Sequence, residues 1–225
     1  MSKEYLKLLI MFCICIITTF NLFAQQDNRK FNISLYGGVA PIGLGPASEM
    51  ENAMVILGYN AEVRFWGTTK YPYSNSGNLS WMIQCQYLLN ENFAVSFIAG
   101  ESDLGSIHGY KSSSVSFLTI NNSIATISPM LLFNLSGILQ FGAGPAYFRI
   151  KANNESHPKI GLNLEASLTY PNDSRLFLKF IYQYRYVGKV NIGAQPQDFS
   201  DQYSAPIGEI LYDHTFIGTG VGVRI

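Results

Sequence analysis

The sequence predicts an all-β chain, closed into an antiparallel up-and-down barrel that crosses a membrane, with eight strands and ten as the alternative count. Three observations predict it. Only 13% of the 225 residues are charged while 48% are hydrophobic, where a soluble domain carries about 25% charged residues. Beyond the first two dozen residues, no apolar run approaches the roughly 20 residues that a membrane-spanning helix needs. From Phe31 onward, apolar residues recur at every second position in segments of about ten residues, the period of a strand with two unlike faces.

Residues 1–24 read as a secretory signal: Lys3 and Lys7 precede an apolar stretch from Leu8 to Phe23, and Ala24 stands before Gln25. Leu22 is larger than the small residue usual two places before cleavage. An uncleaved anchor helix is the alternative, which Thr18, Thr19 and Asn21 weaken. Residues 25–225 then form one barrel domain. Cys13 and Cys15 leave with the signal, so Cys85 stands alone and no disulfide framework supports the fold. Between Ile83 and Tyr87 it reads as a lipid-facing position rather than a nucleophile.

The strands follow in order. Phe31, Ile33, Leu35, Gly37 and Val39 share a face against Asn32, Ser34, Tyr36 and Gly38. Trp81 to Tyr87 and Phe93 to Ala99 alternate about a turn at Asn90 to Asn92. Leu139 to Tyr147, Ile160 to Leu168 and Leu176 to Tyr184 repeat the pattern, and the last strand runs from Ile217 to Ile225. Val115 to Phe133 is irregular. Leu118, Ile120 and Ile124 hold even positions, while Ile127, Leu131 and Phe133 hold odd ones. A β-bulge near Ala125 or Thr126 would restore one apolar face; the alternative is two short strands about a turn at Asn121-Asn122. Tyr59 to Trp66 alternates faintly and is left out of the wall, since single-chain bacterial barrels have an even strand number.

Short turns at Asn90 to Asn92, Asn134 to Gly137 and Pro171 to Ser174 alternate with long polar links at Glu101 to Ser114, Lys151 to Pro158 and Gly188 to Asp213. Bacterial barrels show this asymmetry, with long loops outside. Phe31, Tyr87, Phe93, Phe133 and Tyr170 lie beside the short turns. Trp81, Phe117, Tyr147, Tyr184 and Tyr186 lie at the other ends, as two interfacial girdles would place them. In the first outer loop a short helix is expected from Glu49 to Leu57, with Ser48 and Glu51 as a capping box and Gly58 as the C-terminal cap.

The opposite faces supply Gln84, Gln86, Gln140, Asn163, Glu165, Lys179, Gln183, Arg185 and Arg224. An eight-stranded barrel is just wide enough for its own side chains, so these residues read as a lumen-filling network. Within it, Glu165 and Lys179 are expected to pair across adjacent strands, with Thr169 opposite Arg175. A polar passage is the alternative. His108, His157 and His214 map to the outer loops or rim, where Ser106 and Ser112 flank His108 and Asp213 adjoins His214. That placement suits a lipid-modifying enzyme, a deacylase or acyltransferase, but no spacing matches such a motif. The histidines also form no metal signature. No catalytic, cofactor-binding or metal site is assigned. Gly142 and Gly144 read as positions where neighbouring side chains need room. The scattered basic residues argue against nucleic acid. A soluble binder with its apolar face inward would have its lumen overfilled by Leu176, Leu178, Phe180 and Tyr182.

Taken together, these patterns resemble the small outer-membrane barrels of the OmpA-transmembrane and OmpX type, over about Phe31 to Ile225. The most recognisable stretch runs from Ile127-Ser-Pro-Met-Leu-Leu-Phe133 into Phe141-Gly-Ala-Gly-Pro145. The resemblance implies a bacterial outer-membrane location, outer-membrane lipid as surroundings and the barrel-assembly machinery as a partner during biogenesis. The insertion signal read by that machinery usually ends in an aromatic; here it ends in Ile225. The expected role is structural or surface-interacting, with any extracellular ligand met through the outer loops.

Overall fold

The computed structural model describes residues 30–40, 60–64, 79–111, 116–135, 138–152, 155–171, 174–193 and 206–225. The expected signal segment and the Glu49 to Leu57 helix lie outside them. Eleven strands are formed: β1 Phe31–Val39, β2 Asn60–Arg64, β3 Leu79–Leu88, β4 Phe93–Lys111, β5 Ser116–Asn134, β6 Leu139–Ala152, β7 Glu155–Tyr170, β8 Leu176–Tyr186, β9 Lys189–Gly193, β10 Pro206–Leu211 and β11 His214–Arg224. The main sheet runs β2-β4-β3-β1-β11-β8-β7-β6-β5, and β4 also pairs with β5. That last pairing closes an eight-stranded antiparallel barrel, as the alternation predicts.

Within the faintly alternating stretch, Asn60–Arg64 forms β2, outside the wall. It pairs with Ser106–Tyr110 of β4, beyond the point where β3 ends. Chain-end strands β1 and β11 pair from Asn32 opposite Arg224 to Val39 opposite Ile217, so no free edge is left between them. At the inner end, Asn90 Oδ1 accepts hydrogen bonds from the backbone N–H groups of Asn92 (2.9 Å) and Phe93 (2.8 Å). An asparagine side chain thus completes the tight turn that the sequence marks there.

Below the outer girdle, the outward residues are the apolar ones. Leu35, Trp81, Phe97, Leu131, Phe141, Leu164, Leu178, Phe180 and Val221 are all exposed. Exposed apolar residues on every wall strand are unsustainable in water and are what a bilayer requires. Cys85, half-buried and in no disulfide, lies on this outward face. Phe93 and Phe133 meet at a tilt near the inner turns, with ring centroids 5.4 Å apart, and Trp81, Tyr147 and Tyr186 mark the outer ends.

Several expectations are corrected above that outer girdle. β5 is unbroken from Ser116 to Asn134, and its register against β6 does not shift from Asn122 to Asn134. Neither a bulge at Ala125 or Thr126 nor a turn at Asn121-Asn122 exists. The register shift of the β4–β5 pair lies in β4, between Asp103 and Gly105. Ile124 simply points inward and is fully buried. The apolar face changes sides because the strand has left the bilayer: outside is now water, so apolar side chains turn in. β4 and β6 repeat the inversion. Glu101 and Asp103 point out while Leu104 is buried, and Arg149 and Lys151 point out while Phe148, Ile150 and Ala152 are buried. The expected long polar links are therefore largely strand, with Glu101 to Lys111 in β4, Lys151 and Ala152 in β6, and Glu155 to Pro158 in β7. Likewise, Gly188 to Asp213 holds the β9–β10 hairpin.

Candidate functional site

The lumen has two tiers. In the lower tier, Glu165 of β7 is the hub. Its carboxylate accepts from Gln84 Nε2 (3.3 and 3.2 Å), Ser167 Oγ (3.1 Å), Lys179 Nζ (3.3 Å) and Gln183 Nε2 (3.1 Å). Gln84 Oε1 in turn accepts from Lys179 Nζ (2.8 Å) and the Tyr36 hydroxyl (2.7 Å). Four wall strands therefore meet at one carboxylate, β1 through Tyr36 and Gln84. All are buried, and a buried charge is tolerated only with such partners.

The Glu165–Lys179 pair forms as expected, but in a different register. Glu165 lies opposite Gln183, and Lys179 lies opposite Thr169 rather than Arg175. The inner connection takes Arg175 and Phe177 past the end of β7, which slides β8 by four residues relative to the expected register. The ion pair closes diagonally because the long lysine reaches along the barrel axis.

Arg185 sits above this hub. Its Nε and one terminal nitrogen donate to Gln183 Oε1 (3.2 and 2.9 Å), the other donates to Ser102 Oγ (2.9 Å), and the guanidinium lies 5.2 Å over the Phe216 ring. It also approaches His214 Nε2 at 3.5 Å, while His214 Nδ1 lies 3.0 Å from the Tyr212 carbonyl. A guanidinium only donates and a carbonyl only accepts, so the ring is the neutral tautomer protonated on Nδ1. At the inner mouth Arg224 lies 4.9 Å over Phe177 and donates to the Ser174 carbonyl at 3.0 Å.

The upper tier is apolar. Leu104, Ile124, Phe148 and Ile150 fill it, and Val190, Ile192 and Ile210 of the β9–β10 hairpin are buried in the same cluster. The hairpin thus caps the barrel. Gly188, at φ +83°, begins the fold-back, a conformation that side chains resist. Asp213 Oδ1 clasps both ends by accepting from the N–H groups of Val187 (2.8 Å) and Gly188 (2.9 Å). The Tyr212 hydroxyl then crosses to Asn122 Oδ1 of β5 at 2.7 Å. Burial pushes that hydroxyl's pKa above its ordinary value, with the nearby Glu155 charge adding to the shift. It stays a donor at any ordinary pH.

The three histidines are not brought together as a rim site. His214 is buried inside the barrel at the start of β11, not in a loop. The adjoining Asp213 carboxylate is held by backbone N–H groups and by the Tyr184 hydroxyl at 3.3 Å. His157 lies in β7 and contacts Glu155 Oε2 at 3.2 Å. His108 and Ser106 lie in β4, and their side chains, like all of Ser112, fall outside the described residues. No group of three potential metal-ligating side chains occurs among the described residues. Gly142 and Gly144 do make room: a Cβ would run into the Leu132 side chain at the first and the Pro129 carbonyl at the second. Sequence reasoning missed the upper tier, although Phe148, Ile150 and Ala152 alternating against Arg149 and Lys151 carried its signal.

A closed eight-stranded barrel, apolar outside and charged within, has the architecture of the small OmpA/OmpX-type outer-membrane barrels. No protein-family model matches the chain, and no curated protein does. Among solved structures it is similar to Neisserial surface protein A, at 13% identity and TM-score 0.48, covering 88% of this chain and 98% of that one. It is also similar to OprG from Pseudomonas aeruginosa, at 10% identity and TM-score 0.48, covering 88% and 100%. A third is Ail of Yersinia pestis, bound to the heparin analogue sucrose octasulfate, at 11% identity and TM-score 0.43, covering 87% and 98%.

Proposed function

We propose that the chain is a non-enzymatic barrel of a bacterial outer membrane, exported by its N-terminal segment, that works as a structural or surface-interacting protein through its outer parts. The observation that carries this reading is the asymmetry of the two ends. The inner end has a tight turn at Leu89 to Phe93, whereas the outer end carries the β4–β5 extension, β2 and the β9–β10 cap. A filled and capped lumen leaves that projecting structure as the part that meets other molecules.

Two measurements test it. In a Cys85→Ser background, a cysteine replacing Ser113 should react with a membrane-impermeant maleimide on intact cells, and one replacing Asn92 only after lysis; the reverse pattern rejects the orientation. A chain with residues 103–122 shortened to a tight turn should still show heat-modifiable gel migration but fail to restore the phenotype of a deletion strain. Full restoration rejects the surface role.

A further inference from the structure

The outward belt has one gap. Trp81 of β3 lies opposite Gly37 of β1, Gly37 opposite Thr219 of β11, and Thr219 opposite Phe180 of β8. One hydrogen-bonded row thus reads large, small, small, large across four adjacent strands. Leu35 and Val221 close the gap below, and the result is a notch of about 480 Å³ walled by Trp81, Phe180 and Leu178. Other small outward residues stand singly between large ones: Ala99 between Ile83 and Ile127, Ala143 between Leu131 and Leu164, Ala166 between Phe141 and Tyr182. A single small residue leaves a dimple that its neighbours fill. Two side by side leave a seat two strands wide, about 10 Å at ordinary strand spacing.

We infer that this notch is a seat for one hydrocarbon chain of a membrane lipid. It is continuous with the bilayer-facing belt, so acyl chains are what reach it. Its walls are two aromatic rings and branched aliphatic side chains, which offer dispersion contacts on both flanks of a chain lying on Gly37. Flat parts of the belt touch a chain from one side only. No charged side chain faces out in this row or in the rows of Leu35 and Val39 beside it, so the seat reads a tail rather than a headgroup.

Gly37→Leu fills the floor, and because a Cβ at Gly37 meets nothing within 4 Å, this variant should fold. Ala143→Leu adds the same side chain elsewhere on the belt. Each protein is refolded into vesicles of palmitoyl-oleoyl-phosphatidylethanolamine, moved to mild detergent and weighed by native mass spectrometry, with folding checked by heat-modifiable migration. The parent and Ala143→Leu should retain one phospholipid, and Gly37→Leu should lose that adduct at least fivefold. Palmitoyl-lysophosphatidylethanolamine should compete for the site, and glycerophosphoethanolamine should not. Equal retention by the parent and Gly37→Leu, or competition by the headgroup alone, overturns the inference.

Discussion

Below its outer girdle the barrel is apolar outside and gathers its polar network within; above it, the same strands are polar outside and apolar within. On β6 the change falls between Tyr147, which faces lipid, and Arg149, which faces water, while the inward set changes from Gln140 to Phe148 and Ile150. Strand geometry is continuous across the boundary, since the β5–β6 register is unbroken. The solvent decides. In hydrocarbon an apolar surface costs nothing outside, so polar groups are gathered inside and must satisfy one another. In water the hydrophobic effect returns apolar groups to the interior. The two tiers therefore fail in different ways when cut.

The largest effect is expected at the hub. Glu165→Ala leaves Lys179 buried without its carboxylate partner, at a cost on the order of 4 kcal/mol. Replacing Glu165 and Lys179 together by Met should cost less than this single change in thermal melts read by gel migration. In the upper tier, Phe148→Ala removes a ring with no polar partner and should cost about 3 kcal/mol as a cavity. A polar replacement at Phe148 should be no better than Ala, the reverse of the hub's behaviour.

A mirror pair sharpens the boundary itself. Leu164→Arg places a charge against hydrocarbon and should destabilise by about 2 kcal/mol, measured by reversible unfolding from vesicles. Arg149→Leu, outward but above the girdle, should change stability by less than about 0.5 kcal/mol. Equal penalties would mean that the bilayer does not end between these positions. A smaller loss than at the hub or at Leu164 is expected at the cap, where Tyr212→Phe removes one buried hydrogen bond to Asn122, worth about 1 kcal/mol. It should speed amide exchange at Val190 and Ile192 while leaving exchange in the lower wall unchanged.

The same boundary explains what was legible in the sequence. Where one face met lipid and the other the lumen, period-two alternation identified eight strands, the inward set from Gln84 to Arg224 and the Glu165–Lys179 pair. Where that contrast reversed, as from Ile127 to Ile124, a change of solvent imitated a change of register and suggested a bulge. Strand above the girdle read as loop because polar residues such as Glu101, Asp103 and Lys151 stood where apolar ones were sought. The diagonal Lys179 contact depends on where β8 begins after Pro171, which turn residues alone do not set. His214 looked like a rim residue because its position inside rests on the hairpin folding back over it.

A lumen filled from the Glu165 hub to the hairpin cap should offer ions no path along its axis, and ion conductance across a planar bilayer tests this most directly. The refolded protein, shown to be inserted by its heat-modifiable migration, should give no resolved current steps at 100 mV in about 1 M salt, under conditions where a wide porin conducts. Stable, discrete openings of the parent protein would contradict the filled and capped barrel.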